Sequence, residues 1–202
     1  INLGAGLDAR PYRMKLPPQL QWIEADYPHI IDYKAEQLKN DSSQCKLTRV
    51  SIDLADDEKR KTFLSEMNSK FQRIAVLTEG VMPYLTLDQG SALAHDLAAQ
   101  SNILYWMAEY ISPAVYPHLK GRERAQKLKN APFVFFPSDW LGFFSDRGWK
   151  VKEITYSGEE AQRQGRSTPL PLIAKILKLF FPKKIGNHLR KMSGFVLFTR
   201  AK

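Results

Sequence analysis

Apolar residues along this chain alternate between two spacings. Short strand-like runs occur at Ile1–Leu3, Gln21–Ala25, Leu47–Ile52, Ile74–Leu77 and Ile103–Met107. Between them, apolar positions recur every three or four residues, the helical period. Pro28 suits the first turn of a helix continuing through Ile30, Ile31 and Tyr33 to Leu38. Phe63, Leu64 and Met67 give a second helix over 56–68, and Thr86 can cap a third that runs through Leu93 and Leu97. Further on, Ser138 precedes an apolar helix carrying Trp140, Leu141, Phe143 and Phe144 and ending near Gly148. Two more strands are predicted at Trp149–Ile154 and Phe195–Thr199. Strands and helices in this order predict an α/β fold with a mainly parallel sheet.

The chain opens with a strand end rather than a strand. Ile1-Asn2-Leu3 runs directly into Gly4-Ala5-Gly6, whereas a central strand usually has about five residues. The expectation is that an N-terminal portion precedes Ile1 in the native protein. At 202 residues the chain suits one domain that needs no disulfide or structural metal. Its single cysteine, Cys45, has no internal partner and suggests a reducing, cytoplasmic setting. No metal-ligand pattern is visible, and no apolar run is long enough to cross a membrane.

Charge is distributed unevenly. Residues 1–100 hold 12 basic and 14 acidic groups, and residues 101–202 hold 18 and 7. The whole net charge of +9 therefore belongs to the second half. The excess is spread over many segments, which fits solubility better than one anionic partner. A nucleic-acid partner is not expected, because no basic strip interleaved with aromatics is present.

The candidate chemistry collects at strand ends. Gly4-Ala5-Gly6-Leu7-Asp8-Ala9 fits the pattern G-x-G-x-x-A, a turn that lets backbone approach a nucleotide. Glu24 and Asp26 follow Gly4 by 20 and 22 residues, where an acid can accept hydrogen bonds from ribose hydroxyls. A helix N-cap before Pro28 is the plainer role for Asp26. Asp53 closes the third strand, where a carboxylate can accept from an adenine amino group, and Leu54 can offer a backbone N–H and an apolar side chain. The alternative for Asp53 is again a cap, for the helix over 56–68. Glu79 ends the fourth strand, just before Gly80. Four consecutive strands thus end in a glycine turn or an acid.

The segments Asn2–Arg13, Glu24–Pro28, Asp53-Leu54 and Glu79–Leu85 together resemble the leucine carboxyl methyltransferase family, which includes polyketide carboxyl O-methyltransferases of the tetracenomycin type. Ser193–Phe198 is similar to that family's final strand. The resemblance implies a doubly wound, Rossmann-like, mostly parallel seven-stranded sheet with an antiparallel last strand. It implies S-adenosyl-L-methionine (SAM) as cofactor and, as methyl acceptor, a carboxylate or hydroxyl of a small molecule or a protein, most simply of a small molecule. Carried over, Gly4 with Ala5 and Gly6 approaches SAM, Asp26 binds ribose, Asp53 and Leu54 hold adenine, and Glu79 lies near the methionine moiety. The family also binds the SAM carboxylate with basic residues upstream of the glycine turn, which are expected to belong to the portion preceding Ile1. That leaves the roles of Asp8, Arg10 and Arg13 open; Arg10 can help order the turn through an acid or a carboxylate, or form a surface ion pair.

For the acceptor, Met82 and Tyr84 beyond strand four, and Glu109 and Tyr110 beyond strand five, are candidates. No general base is assigned: a carboxylate acceptor with a pKa near 4 is already ionised at pH 7, and His29, His95, His118 and His188 sit in no catalytic pattern. Phe133, Phe135, Phe136 and Trp140 are expected to be core. Residues 158–192 form an insertion before the last strand whose 169–181 stretch is amphipathic and basic. Covering apolar surface on its own domain is the plainer use of such a helix, and lying on an anionic membrane is the other. Two competing readings of the whole chain remain: an NAD-dependent oxidoreductase using the same glycine turn, and a non-enzymatic membrane- or partner-binding module using 169–192.

Overall fold

A computed structural model describes residues 1–121, 129, 131–166 and 190–201. The chain alternates β1 (Asn2–Leu3), α1 (Arg10–Arg13), β2 (Gln21–Asp26), α2 (Pro28–Gln37), β3 (Lys46–Ser51), α3 (Asp57–Lys70), β4 (Ile74–Thr78), α4 (Leu87–Ala99) and β5 (Ile103–Ile111). It continues with α5 (Tyr116–Leu119), α6 (Trp140–Ser145), β6 (Trp149–Tyr156), α7 (Ser157–Arg163) and β7 (Ser193–Arg200). The strands form one seven-stranded sheet in the order β3-β2-β1-β4-β5-β7-β6. β1 to β5 pair in parallel, and β7 enters antiparallel between β5 and β6. This is the doubly wound α/β architecture expected from the sequence. The order reverses at β1 and β4, so the carboxyl ends of these two strands flank a topological switch point, where open α/β sheets bind ligands.

Strand alternation decides what the sheet buries. Leu3, Ala25, Val76, Trp106, Val196 and Phe198 share one face and are nearly inaccessible. They join Phe63, Leu64 and Met67 of α3, Leu93 and Leu97 of α4, and Trp140 and Phe144 of α6 in one core. Burying such side chains contributes about 1.5–3 kcal/mol each. Polar edges of the buried aromatics are matched: Trp106 Nε1 donates to Thr78 Oγ1 at 3.0 Å, and Trp149 Nε1 donates to the Ala94 carbonyl at 2.9 Å. On the opposite face, Glu24 is fully buried and accepts from Lys34 Nζ of α2 at 2.8 Å and from Arg49 Nε of β3 at 3.1 Å. Arg49 also donates to the Tyr12 hydroxyl, tying α1 to the same edge.

Several local expectations shift. Asp139, not Ser138, caps α6, its carboxylate accepting from Gly142 N–H at 2.9 Å. A carboxylate at that position is well placed against the orphan N–H groups of a first helical turn. Asp56, not Asp53, caps α3 by accepting from Lys59 N–H. Tyr27 is the residue preceding α2, and the Asp26 side chain is engaged elsewhere. The capping box of Thr86 and Gln89 starts α4 as expected. Phe135 and Trp140 are core, while Phe133 meets Tyr84 edge-on and Phe136 packs against Tyr116. The amphipathic 169–181 stretch lies outside the described residues; of the 158–192 insertion, 158–166 and 190–192 are described, the former within and just after α7.

Candidate active site

The turn after β1 needs glycine for two different reasons. Gly4 and Gly6 both have positive φ, +69° and +46°, a region side chains rarely adopt. At Gly4 there is also no room, since a Cβ would run into Val81 Cγ2, whereas at Gly6 the space is open. The turn is anchored to the next strand: Gly4 N–H donates to the Ala25 carbonyl at 2.8 Å, and Gly6 N–H donates to Asp26 Oδ2 at 2.7 Å. The other oxygen of Asp26 accepts from Tyr27 N–H at 2.7 Å. Asp26 is nearly buried, so its charge is held by backbone dipoles.

The bend after β4 faces this turn. Gly80 takes φ +70°, and the half-exposed Glu79 beside it accepts from Arg10 Nη2 at 2.9 Å. The same guanidinium donates through Nε to Asp8 Oδ2 at 2.7 Å. From β5, Glu109 reaches under the bend, and its Oε1 accepts from the N–H groups of Val81 and Met82, both at 3.0 Å. Its Oε2 is buried without a hydrogen-bond partner. Burial, reinforced by the nearby charge of Glu79, pushes the Glu109 carboxyl up to about 7 despite its backbone donors.

Two cavities meet between the bends. The larger, about 690 Å³, is lined by Asp26, Tyr27, Ile52, Leu54, Tyr84 and Val134 among others and is mostly apolar. The smaller, about 360 Å³, is polar and charged, with Asn2, Asp8, Arg10 and Arg13 in its wall. Gly4, Gly6 and Glu79 line both. The structure thus brings together Gly4, Gly6, Asp26, Leu54 and Glu79, and places Ala5 on the smaller cavity. Asp53 is not in the wall: its Oδ1 accepts from Ala55 N–H at 2.8 Å, and its charge, after burial, helps raise the Tyr27 phenol.

The acceptor candidates separate. Tyr84 lies on the larger cavity, whose wall also includes Leu85 and Asp26. Met82 is 1% exposed and sits in the core, so it is a packing residue in this arrangement. Tyr110 packs edge-on to Trp140 and Tyr156 and lines neither cavity. Arg10, read from the sequence as ordering the turn through an acid, pairs with Asp8 and Glu79, while the clamp by Glu109 was not assigned from the sequence. The signal for Arg10 was present in its position two residues after Asp8, as the alternation of acid and base in one turn.

Residues 1–98 match the family model described as leucine carboxyl methyltransferase. That segment, just under half of the chain, is similar to the leucine carboxyl methyltransferase family. A protein of Mycolicibacterium paratuberculosis, provisionally named an S-adenosyl-L-methionine-dependent methyltransferase, is 30% identical over 191 residues, covering 84% of this chain and 60% of the relative. A protein of Mycobacterium ulcerans with the same provisional name is 26% identical over 197 residues, covering 86% and 59%. The chain therefore spans about three fifths of the length of these curated relatives. Among solved structures, a DUF574 family protein from Streptomyces avermitilis superposes with a TM-score of 0.64 at 12% identity, over 98% of this chain and 74% of the other. Magnesium protoporphyrin IX methyltransferase from Synechocystis with bound SAM gives 0.54 at 11% identity, over 99% and 68%. These structures share the fold of this chain.

Proposed function

We propose that this chain forms the cofactor-binding core of a SAM-dependent O-methyltransferase that methylates a carboxylate, or a related hydroxyl, of a small molecule. The observation that carries the reading is the pair of cavities joined at Gly4, Gly6 and Glu79. An apolar chamber with a buried acid at its edge suits an adenosine, and a charged chamber suits an amino-acid end. One ligand has both ends, and the glycine turn lies where they meet. The missing Cβ of Gly6, where the space is open, leaves the backbone accessible to such a molecule.

The roles follow from position. Asp26, fixed by two backbone donors, is oriented to accept from ribose hydroxyls. Ile52, Leu54 and Tyr84 offer apolar contact to an adenine ring, and Glu79 offers a carboxylate to an ammonium group. SAM, when bound, supplies a methyl group on a sulfonium leaving group. The protein's task is then alignment of the acceptor with that methyl group, and positioning alone can supply much of the rate. A carboxylate acceptor needs no general base because it is already ionised at neutral pH.

Thermal unfolding with S-adenosylhomocysteine (SAH) and, separately, NAD tests this reading. Ligand at 100 times its Kd adds about 2.7 kcal/mol, a rise of about 5–10 °C for a domain of this size. A rise with SAH alone is expected. A rise with NAD alone would return the dehydrogenase reading.

A further inference from the structure

We propose that Arg10 is a carboxylate-binding residue of the smaller cavity, an inference that rests on the methyltransferase reading above. Three hydrogen bonds hold it in place. Its backbone N–H donates to Asp8 Oδ1 at 2.9 Å, its Nε to Asp8 Oδ2 at 2.7 Å, and its Nη2 to Glu79 Oε2 at 2.9 Å. Asp8 is itself held by Asn2 Nδ2 at 2.9 Å, and Asn2 is buried in β1 between β2 and β4. The chain of contacts runs from the centre of the sheet to the guanidinium. Arg10 is thus pre-organised, and little rotamer freedom is left to lose on binding.

Its donors are not used up. A guanidinium carries five N–H donors in a planar fork, and among the described residues no partner takes Nη1. Arg13 lines the same cavity and adds positive charge at its rim. Beside the fork stands Glu79, half exposed and of opposite sign. Adjacent guanidinium and carboxylate groups complement a zwitterion, with the ligand's ammonium at Glu79 and its carboxylate at Arg10. The carboxylate has two possible sources, the amino-acid end of the cofactor and a carboxylate acceptor.

The experiment measures binding to the whole chain by calorimetry, for wild type and Arg10→Gln. The probes are SAH, its decarboxylated analogue that keeps the ammonium, and benzoate added to SAH-loaded protein. If the cofactor supplies the carboxylate, Arg10→Gln weakens SAH tenfold or more and leaves the decarboxylated analogue unchanged. That difference removes any general effect of freeing Glu79, which both probes feel. If the acceptor supplies it, SAH binding is unchanged and benzoate binding is lost. No change in either arm overturns the proposal. Arg10→Lys, which keeps charge but not the fork, is expected to recover binding only in part, and it serves if the glutamine variant does not fold. Failure of the underlying reading is distinguishable: wild type would then bind neither SAH nor its analogue.

Discussion

The carboxylate of Asp26 accepts a hydrogen bond from the backbone N–H of Gly6, twenty residues earlier in the chain, at 2.7 Å. The bond joins the ends of β1 and β2 and sets the shape of the glycine turn. It also fixes the acid that, among the described residues, is the buried one on the larger cavity, facing the proposed ribose position. Removing it therefore affects fold and binding together. Asp26→Ala is expected to lower unfolding free energy by about 1.5–3 kcal/mol, the range for a hydrogen bond to a charged group. SAH affinity should fall by about tenfold or more, since a bidentate acceptor is lost. Urea unfolding and calorimetry on the same preparation check both. Unchanged affinity in a folded Asp26→Ala protein would remove Asp26 from the site.

The two glycines of the turn make a comparison possible. Gly4 and Gly6 share positive φ, but only Gly4 has a neighbour, Val81, where its Cβ would stand. Alanine in the left-handed region costs about 1–2 kcal/mol at either position. Gly4→Ala is expected to cost more, because a contact in a packed interior must also give way. Gly4→Ala combined with Val81→Ala should recover part of the difference, while the same second change should not help Gly6→Ala. Denaturant midpoints for the five proteins decide it. Equal costs at Gly4 and Gly6 would mean that the approach of Val81 is not a constraint.

On the far face of the sheet, Glu24 is the acid of a buried charge cluster with Lys34 and Arg49. Lys34 is 1% exposed and Glu24 is fully buried, so deleting Glu24 strands Lys34 in a low-dielectric site, whereas deleting Lys34 still leaves Glu24 paired with Arg49. Glu24→Gln is expected to destabilise the fold by about 3–5 kcal/mol. Lys34→Met with Glu24→Gln should cost less than the two single changes added together, since the buried charge is then gone. An additive result in denaturant titrations would show that the pair is not coupled.

Strand ends were legible in the sequence because the residues that define them are local. Gly4-Ala5-Gly6, Asp26, Asp53 and Glu79 each follow an apolar run, and the sheet delivers their strand ends to one rim. The parallel pattern was equally legible, because helical and strand periods alternate over long windows. What lay beyond reach joins residues distant in sequence. Arg10 and Glu79 are 69 positions apart, and Glu109 and Val81 are 28 apart. These contacts exist because β4 lies between β1 and β5 in the sheet, which no local pattern encodes. The short helices α1, α5 and α7 were also missed, since four to seven residues do not display a helical period. Met82 illustrates the opposite error. Its position after β4 suggested a pocket, but the bend turns its side chain into the core, while Tyr84 two residues later reaches the cavity.

Glu109 gives the site a dependence on pH. Its carboxyl is pushed up to about 7 by burial, and its Oε1 holds the N–H groups of Val81 and Met82. An unfolded glutamate titrates at about 4.3. Between these values the native state keeps a proton that the unfolded state has released. Stability is therefore highest below the unfolded value, falls as pH rises through the window, and levels off above about 7. Glu109→Gln keeps a carbonyl acceptor for the two N–H groups and removes the titration. Urea midpoints for the wild type are expected to decline from pH 5 to pH 8, and those for the variant to decline less. The variant should also be relatively more stable at pH 8 than at pH 5. Glu109→Leu, which removes the acceptor as well, should be less stable than Glu109→Gln at every pH, because two buried N–H groups lose their partner. Parallel pH profiles for wild type and Glu109→Gln would mean that Glu109 ionises normally and that its backbone donors outweigh its burial.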